Sequence, residues 1–119
     1  QLWTTIAERA AQRPGGSYTT SLLEGGVDVA GRKVTEEATE VLMAAKDDAV
    51  AETAGAPREA TRQSLAGEAA DLLFHLLVLL AERNVQPSIV LDILEQRRGR
   101  PARTAASDRT YQPSTRTIR

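Results

Sequence analysis

The sequence predicts an all-α protein, a bundle of about four to five helices with a core completed by dimerisation. Three observations carry that expectation. Apolar residues recur at helical spacing in each segment between glycines, prolines and capping residues, and no run alternates in the way a strand requires. Leu72 to Ala81 is apolar nearly all round, which suits a helix covered on every face. A three- or four-helix monomer supplies too few neighbours for that, so a homodimer or higher homo-oligomer is expected.

In chain order, Leu2 to Arg13 reads as a first helix on Leu2, Ile6 and Ala10, stopped by Pro14-Gly15-Gly16. Ser17-Tyr18-Thr19-Thr20 offers capping hydroxyls ahead of a short Ser21–Glu24 turn, which Gly25-Gly26 ends. A long helix follows from Asp28, as N-cap, to about Asp48, with Val34, Ala38, Val41 and Ala45 as its apolar stripe. Ala49 to Arg62, with Gly55 and Pro57, reads as a long mobile connection able to hold one helical turn. Ser64 to Arg83 is the second long helix, with Asn84 placed to end it in a left-handed cap. A last helix runs from Pro87-Ser88 to Gly99, with Ile89, Val90, Ile93 and Leu94 as its core face.

The 119 residues suit one domain over 1–99, followed by a basic, flexible tail over 100–119. Residues 1–96 hold 15 acidic and 8 basic side chains, whereas 97–119 hold seven arginines against Asp108 alone. With only Tyr111 as an aromatic and no long basic block, the tail reads as solvated chain and not as a nucleic-acid arm. Cysteine is absent, which excludes disulfides, thiolate zinc and a catalytic thiol, and fits a cytoplasmic protein. No uninterrupted apolar run reaches the roughly 18 residues of a bilayer span, and Gln1-Leu2-Trp3 opens no signal peptide, so no membrane partner is expected. The missing initiator Met suggests that a few leading residues are not included.

Carboxylates are the candidate site. Glu37 and Glu40 share one flank of the first long helix with Lys33 and Ala44, and Glu36 points further out. Glu68, Asp71 and His75 form the one polar stripe on the second. If the helices pack antiparallel, the two acidic pairs face each other, and anions so placed need a cation between them. Hard oxygen donors suit Mg²⁺ or Mn²⁺, which in turn binds substrate phosphates. The alternative is a set of solvated acidic faces, since glutamate is a common surface helix former. His75 reads either as a satisfied core residue or as a second-shell group whose neutral imidazole orients the Asp71 carboxylate. No serine sits in a nucleophile elbow, and Gly15-Gly16 and Gly25-Gly26 match no phosphate loop.

Lys33-Val34-Thr35-Glu36-Glu37-Ala38-Thr39-Glu40, with Glu68-Ala69-Ala70-Asp71 downstream, resembles the EExxE…ExxD signature of the MazG-like all-α nucleoside triphosphate pyrophosphohydrolases. The flanks, Arg13…Ser17-Tyr18-Thr19, Ala44-Ala45-Lys46-Asp47 and Val90…Leu94…Arg97-Arg98-Gly99, narrow the resemblance to the phosphoribosyl-ATP pyrophosphohydrolase family over roughly residues 2–99. Thr35 stands where that family usually has glycine, and the 49–62 connection is about ten residues longer than usual.

The resemblance implies Mg²⁺-dependent hydrolysis of phosphoribosyl-ATP to phosphoribosyl-AMP and pyrophosphate in histidine biosynthesis. Glu37, Glu40, Glu68 and Asp71 would be the metal ligands, and Glu36 an outer-shell residue or one that orients or deprotonates water. Lys33 would contact phosphate, with Arg13, Arg32 and Lys46 as weaker candidates. Ser17 and Tyr18 would line the nucleotide end, or serve only as helix cap and packing aromatic. The family's fused forms carry a cyclohydrolase domain with a cysteine-bound zinc, for which this chain has neither room nor cysteines, so the stand-alone form is expected. Two rivals stay open: a house-cleaning nucleoside triphosphate pyrophosphohydrolase of the same superfamily, and a non-catalytic helical dimerisation module.

Overall fold

A computed structural model describes residues 1–12 and 17–99. Among them are five helices and no strand: α1 (Leu2–Gln12), α2 (Tyr18–Glu24), α3 (Gly26–Thr53), α4 (Glu59–Glu82) and α5 (Pro87–Arg98). The described chain divides into two units between Pro87 and Ser88. Arg13 and the basic tail expected over 100–119 lie outside the described residues.

Each turn has a local cause. Ser17 accepts the Thr20 amide at 3.4 Å and caps α2, which begins a turn earlier than the hydroxyl pattern suggests. Gly25 and Gly26 then reverse the chain. Gly26 has a φ of +73°, and a Cβ at Gly25 would meet the Val29 side chain at 2.6 Å, so both positions need glycine. Asp28 is therefore not the N-cap of α3 but sits inside its first turn, where a negative charge suits the helix dipole. At the far end of α4, Asn84 adopts a φ of 55°. Its amide reaches the Ala81 carbonyl at 3.0 Å while the Val85 amide reaches that of Leu80 at 2.8 Å, as the left-handed cap requires.

The largest departure from expectation lies between the two long helices. The stretch 49–62 is mostly helical, since α3 continues to Thr53 and α4 starts at Glu59, leaving only residues 54–58 as the connection. Gly55, at φ +66°, closes α3 in the same way as Asn84 closes α4: its amide bonds the Glu52 carbonyl and that of Ala56 bonds Ala51. Arg58 ties the tip together. Its Nε and Nη2 donate to the two carboxylate oxygens of Asp48 at 3.1 and 2.7 Å, and its Nη1 donates to Glu52 at 2.7 Å. Thr61 adds a 2.8 Å bond to Asp48. Bidentate pairing of this kind orders the tip, contrary to the mobility expected of it.

Pairings along the hairpin descend in sequence on one side as they rise on the other, so α3 and α4 run antiparallel. Three layers follow. At the end away from the tip, Ala30 and Val78 join Ile6 of α1 and Leu22 and Leu23 of α2 in the apolar core, flanked by Val29, Phe74 and Leu77. Glu37, Glu40, Glu68 and His75 form the middle layer, and the Asp48–Arg58 clasp the third.

The expected stripe of α3 shifts accordingly. Its buried residues are Ala30, Glu37, Ala44 and Asp48, while Ala38 is exposed and Val34, Val41 and Ala45 are half-buried. On α1, Ile6 is buried but Leu2 is half exposed. α4 is not covered on every side within one chain: only His75 and Val78 are buried, and Leu73 and Leu76 are exposed. No residue of α5 is buried, and Ile89, Val90, Ile93 and Leu94 of its expected core face are exposed. By length and composition α4 could cross a bilayer. Glu68 and Asp71 near its middle would be costly in hydrocarbon, and Glu68 instead meets acids of α3.

Candidate metal and phosphate site

One helix–loop–helix hairpin supplies the whole acidic group. Glu37, Glu40 and Glu68 each offer an oxygen within 4.8 Å of the others. Glu37 is buried at 8% exposure, Glu68 is half-buried and Glu40 is exposed at the rim. Glu37 Oε2 and Glu68 Oε2 are buried without a hydrogen-bond partner. A buried carboxylate oxygen in that condition is costly unless a cation or proton meets it.

The electrostatics report the same crowding. Burial, followed by the neighbouring Glu40 carboxylate, pushes the Glu37 carboxyl above its usual value. For Glu68 the leading cause is its contact with Glu40, with burial second. Asp71 is exposed and falls outside the 4.8 Å group, but its charge acts on both Glu37 and Glu68. Burial and like charge thus hold the Glu37 and Glu68 carboxyls above their usual value, and a cation between them would relieve the repulsion. An all-oxygen donor set with two orphaned buried oxygens fits a hard divalent ion.

The basic side comes from Lys33. Its Nζ lies 3.2 Å from Glu36 and 3.8 Å from Glu37 Oε1, and the Glu36 contact raises its pKa. Glu36 itself is exposed and stands outside the acidic trio, as the helical wheel requires. Lys46 is not beside the cluster: it lies six residues beyond Glu40, about 9 Å along the axis, and lines a groove with Ala49, Val50 and Thr53. Arg32 is exposed, and Arg13 lies outside the described residues.

One assignment changes with the geometry. His75 does not bond the Asp71 carboxylate; its Nδ1 lies 2.7 Å from the Asp71 main-chain carbonyl, the ordinary acceptor one turn back on the helix. Its Nε2 is 2.8 Å from the Tyr18 hydroxyl, a pairing across 57 residues that no local pattern announces. Ser17 is the cap of α2. Tyr18 is 54% exposed, but its ring stacks on Phe74 at 6.2 Å between centroids. Asp48, Arg58 and Thr61, which fix the tip, carried no sequence signal beyond ordinary surface charge.

Comparison with known proteins matches the sequence to one family. The model of the phosphoribosyl-ATP pyrophosphohydrolase family matches residues 1–98. A phosphoribosyl-ATP pyrophosphatase of Rhodopirellula baltica is 43% identical over 99 residues, covering 83% of this chain and 75% of the relative. That of Listeria welshimeri is 43% identical over 103 residues, 87% of each protein. A histidine biosynthesis bifunctional protein of Bacillus subtilis is 45% identical over 97 residues, which are 82% of this chain and 41% of the relative. The chain thus spans under half the length of the bifunctional relatives it matches.

Proposed function

The chain belongs to the phosphoribosyl-ATP pyrophosphohydrolase family, and on that footing we propose that it hydrolyses phosphoribosyl-ATP to phosphoribosyl-AMP and pyrophosphate, a step of histidine biosynthesis. The observation that carries the reading is the trio Glu37, Glu40 and Glu68, with oxygens within 4.8 Å and two of them buried and orphaned. These three would hold Mg²⁺, or Mn²⁺ in its place, with Asp71 as a fourth oxygen donor. Bound there, the ion would neutralise phosphate charge and make a neighbouring water more acidic.

The remaining work falls to the chain's own residues. Lys33, now paired with Glu36 and Glu37, exchanges a carboxylate for a phosphate oxygen when the polyphosphate arrives. That exchange frees Glu36, exposed at the rim, to orient the attacking water or accept its proton. Water adds to the phosphorus that stays with the nucleoside monophosphate, and pyrophosphate leaves with the electrons of the broken P–O bond. Phosphoribosyl-ATP is the small-molecule partner; no nucleic acid or membrane enters the reaction, and a cytoplasmic location goes with it.

The test is to offer phosphoribosyl-ATP and a panel of nucleoside triphosphates, with and without Mg²⁺, and assay pyrophosphate. Release from phosphoribosyl-ATP alone, and only with Mg²⁺, is the expected result. Cleavage of another triphosphate with phosphoribosyl-ATP untouched would replace this function by the house-cleaning reading, and no cleavage at all would leave a non-catalytic helical module.

A homodimer accompanies this reading. Leu42, Met43 and Val50 on α3 and Leu73 and Leu76 on α4 are exposed large apolar side chains, with Leu73 at 62% and Val50 at 69%, more than one helical hairpin ordinarily leaves in water. A second copy would cover them. Leu73→Glu with Leu76→Glu is expected to halve the mass measured by light scattering; an unchanged mass places the interface elsewhere.

A further inference from the structure

Tyr18 reaches the acidic site from outside the hairpin that builds it. It is the first residue of α2, and its hydroxyl is 2.8 Å from His75 Nε2. The Asp71 carbonyl 2.7 Å from Nδ1 can only accept, so in the neutral ring Nδ1 carries the proton and Nε2 accepts from the Tyr18 O–H. Both ring nitrogens are then satisfied, and the buried imidazole cannot turn over without breaking both bonds. Phe74 meets the His75 ring edge-on at 5.1 Å between centroids and stacks on Tyr18, packing that adds no hydrogen bond to the ring.

The Nδ1 edge of that ring stands 3.8 Å from Glu37 Oε1, the same oxygen that lies 3.8 Å from Lys33 Nζ. One oxygen of Glu37 thus sits between two nitrogen groups. The other, Oε2, is left buried and without a partner. Glu37 Oε1 therefore faces, on one side, the edge of a ring that Tyr18 fixes and, on the other, Lys33.

We propose that Tyr18 is a positioning residue for the metal site: through His75 it holds Glu37 so that Oε2 stays available to the ion, and it does not line the nucleotide. This inference rests on the reading above that Glu37, Glu40 and Glu68 bind a divalent cation, and it moves Tyr18 from the substrate to the support of a ligand. Groups that orient ligands from behind commonly change metal affinity by roughly 10- to 100-fold when removed.

Calorimetric titration of Mn²⁺ into the substrate-free full chain tests it. Tyr18→Phe keeps the ring and its stacking but loses the O–H. It is expected to weaken Mn²⁺ binding about ten-fold and to raise the half-activating Mg²⁺ concentration to match. At saturating Mg²⁺ its KM for phosphoribosyl-ATP should stay within about twofold of wild type. Phe74→Leu, which loses the stacking and keeps the O–H···N bond, should lower the melting temperature and leave Mn²⁺ affinity intact. Wild-type Mn²⁺ affinity in Tyr18→Phe with a raised KM would overturn the proposal in favour of a substrate contact. Equal loss of affinity in both variants would overturn it in favour of packing alone. A wild-type protein that binds no Mn²⁺ would remove the metal reading itself, and this proposal with it.

Discussion

Glu40→Gln is expected to lower kcat/KM for phosphoribosyl-ATP by at least about 100-fold while leaving the protein folded. The amide keeps the size of the side chain but offers only a neutral oxygen. Glu40 is exposed at the rim, and the glutamine amide can still meet Glu37 and Glu68. Glu40 contributes to the raised carboxyl values of both Glu37 and Glu68, as the leading cause for Glu68 and after burial for Glu37. Removing its charge therefore relieves repulsion, and the metal-free melting temperature should equal or exceed that of wild type. Steady-state kinetics and circular-dichroism melting check the two halves; normal turnover would sink the assignment of the metal site.

Asp48→Asn is expected to give the largest loss of stability and little change in the chemistry. Asp48 accepts two bonds from Arg58 and one from Thr61, and these contacts, Arg58 first, hold its carboxyl at about 2 instead of 3.8. A depressed folded-state value means stability that is complete above 3.8 and is lost as pH falls toward about 2. The variant should melt about 5 °C or more below wild type at neutral pH and show a flattened acid limb across that window. Coincident acid limbs would show that the clasp contributes nothing. The metal-free carboxylate trio acts with the opposite sign: Glu37 and Glu68 hold protons above the usual 4.5, so their contribution favours the fold at lower pH and fades as pH rises through those raised values.

The fold class and the acidic pairs were legible because they follow from spacing within single helices. Glu37 and Glu40 share a face by geometry alone, and Asn84 ends α4 because few other residues adopt a φ of 55°. The stripe of α3 was misplaced for the reason that makes the site useful: hydropathy places alanine and valine inside, whereas the residues turned inward include Glu37 and Asp48. In the 49–62 stretch Gly55 and Pro57 are the residues that suggest mobility. The Ala, Glu and Arg around them are good helix formers, and the Asp48–Arg58 tie that fixes the tip joins residues ten apart across a turn. Tyr18 and His75 are 57 residues apart, a separation at which sequence spacing carries no information. α4 buries Val78 against the core and leaves Leu73 and Leu76 exposed, the part of its apolar surface for which the sequence asks for a second copy.

The connection at 54–58 also bears on the order of folding. Glu37, Glu40, Glu68 and Asp71 all lie on two consecutive helices, so bringing them together requires closing only one short loop, for which the entropic cost is small. Contacts of short sequence separation form early. The hairpin is therefore expected to assemble its acidic centre before α2 docks on α4, at a stage when Tyr18, 57 residues from His75, has not yet reached it. An ion captured by that early hairpin would offset the mutual repulsion of the acids during folding itself, and α2 would arrive last, locking a ligand set already in place.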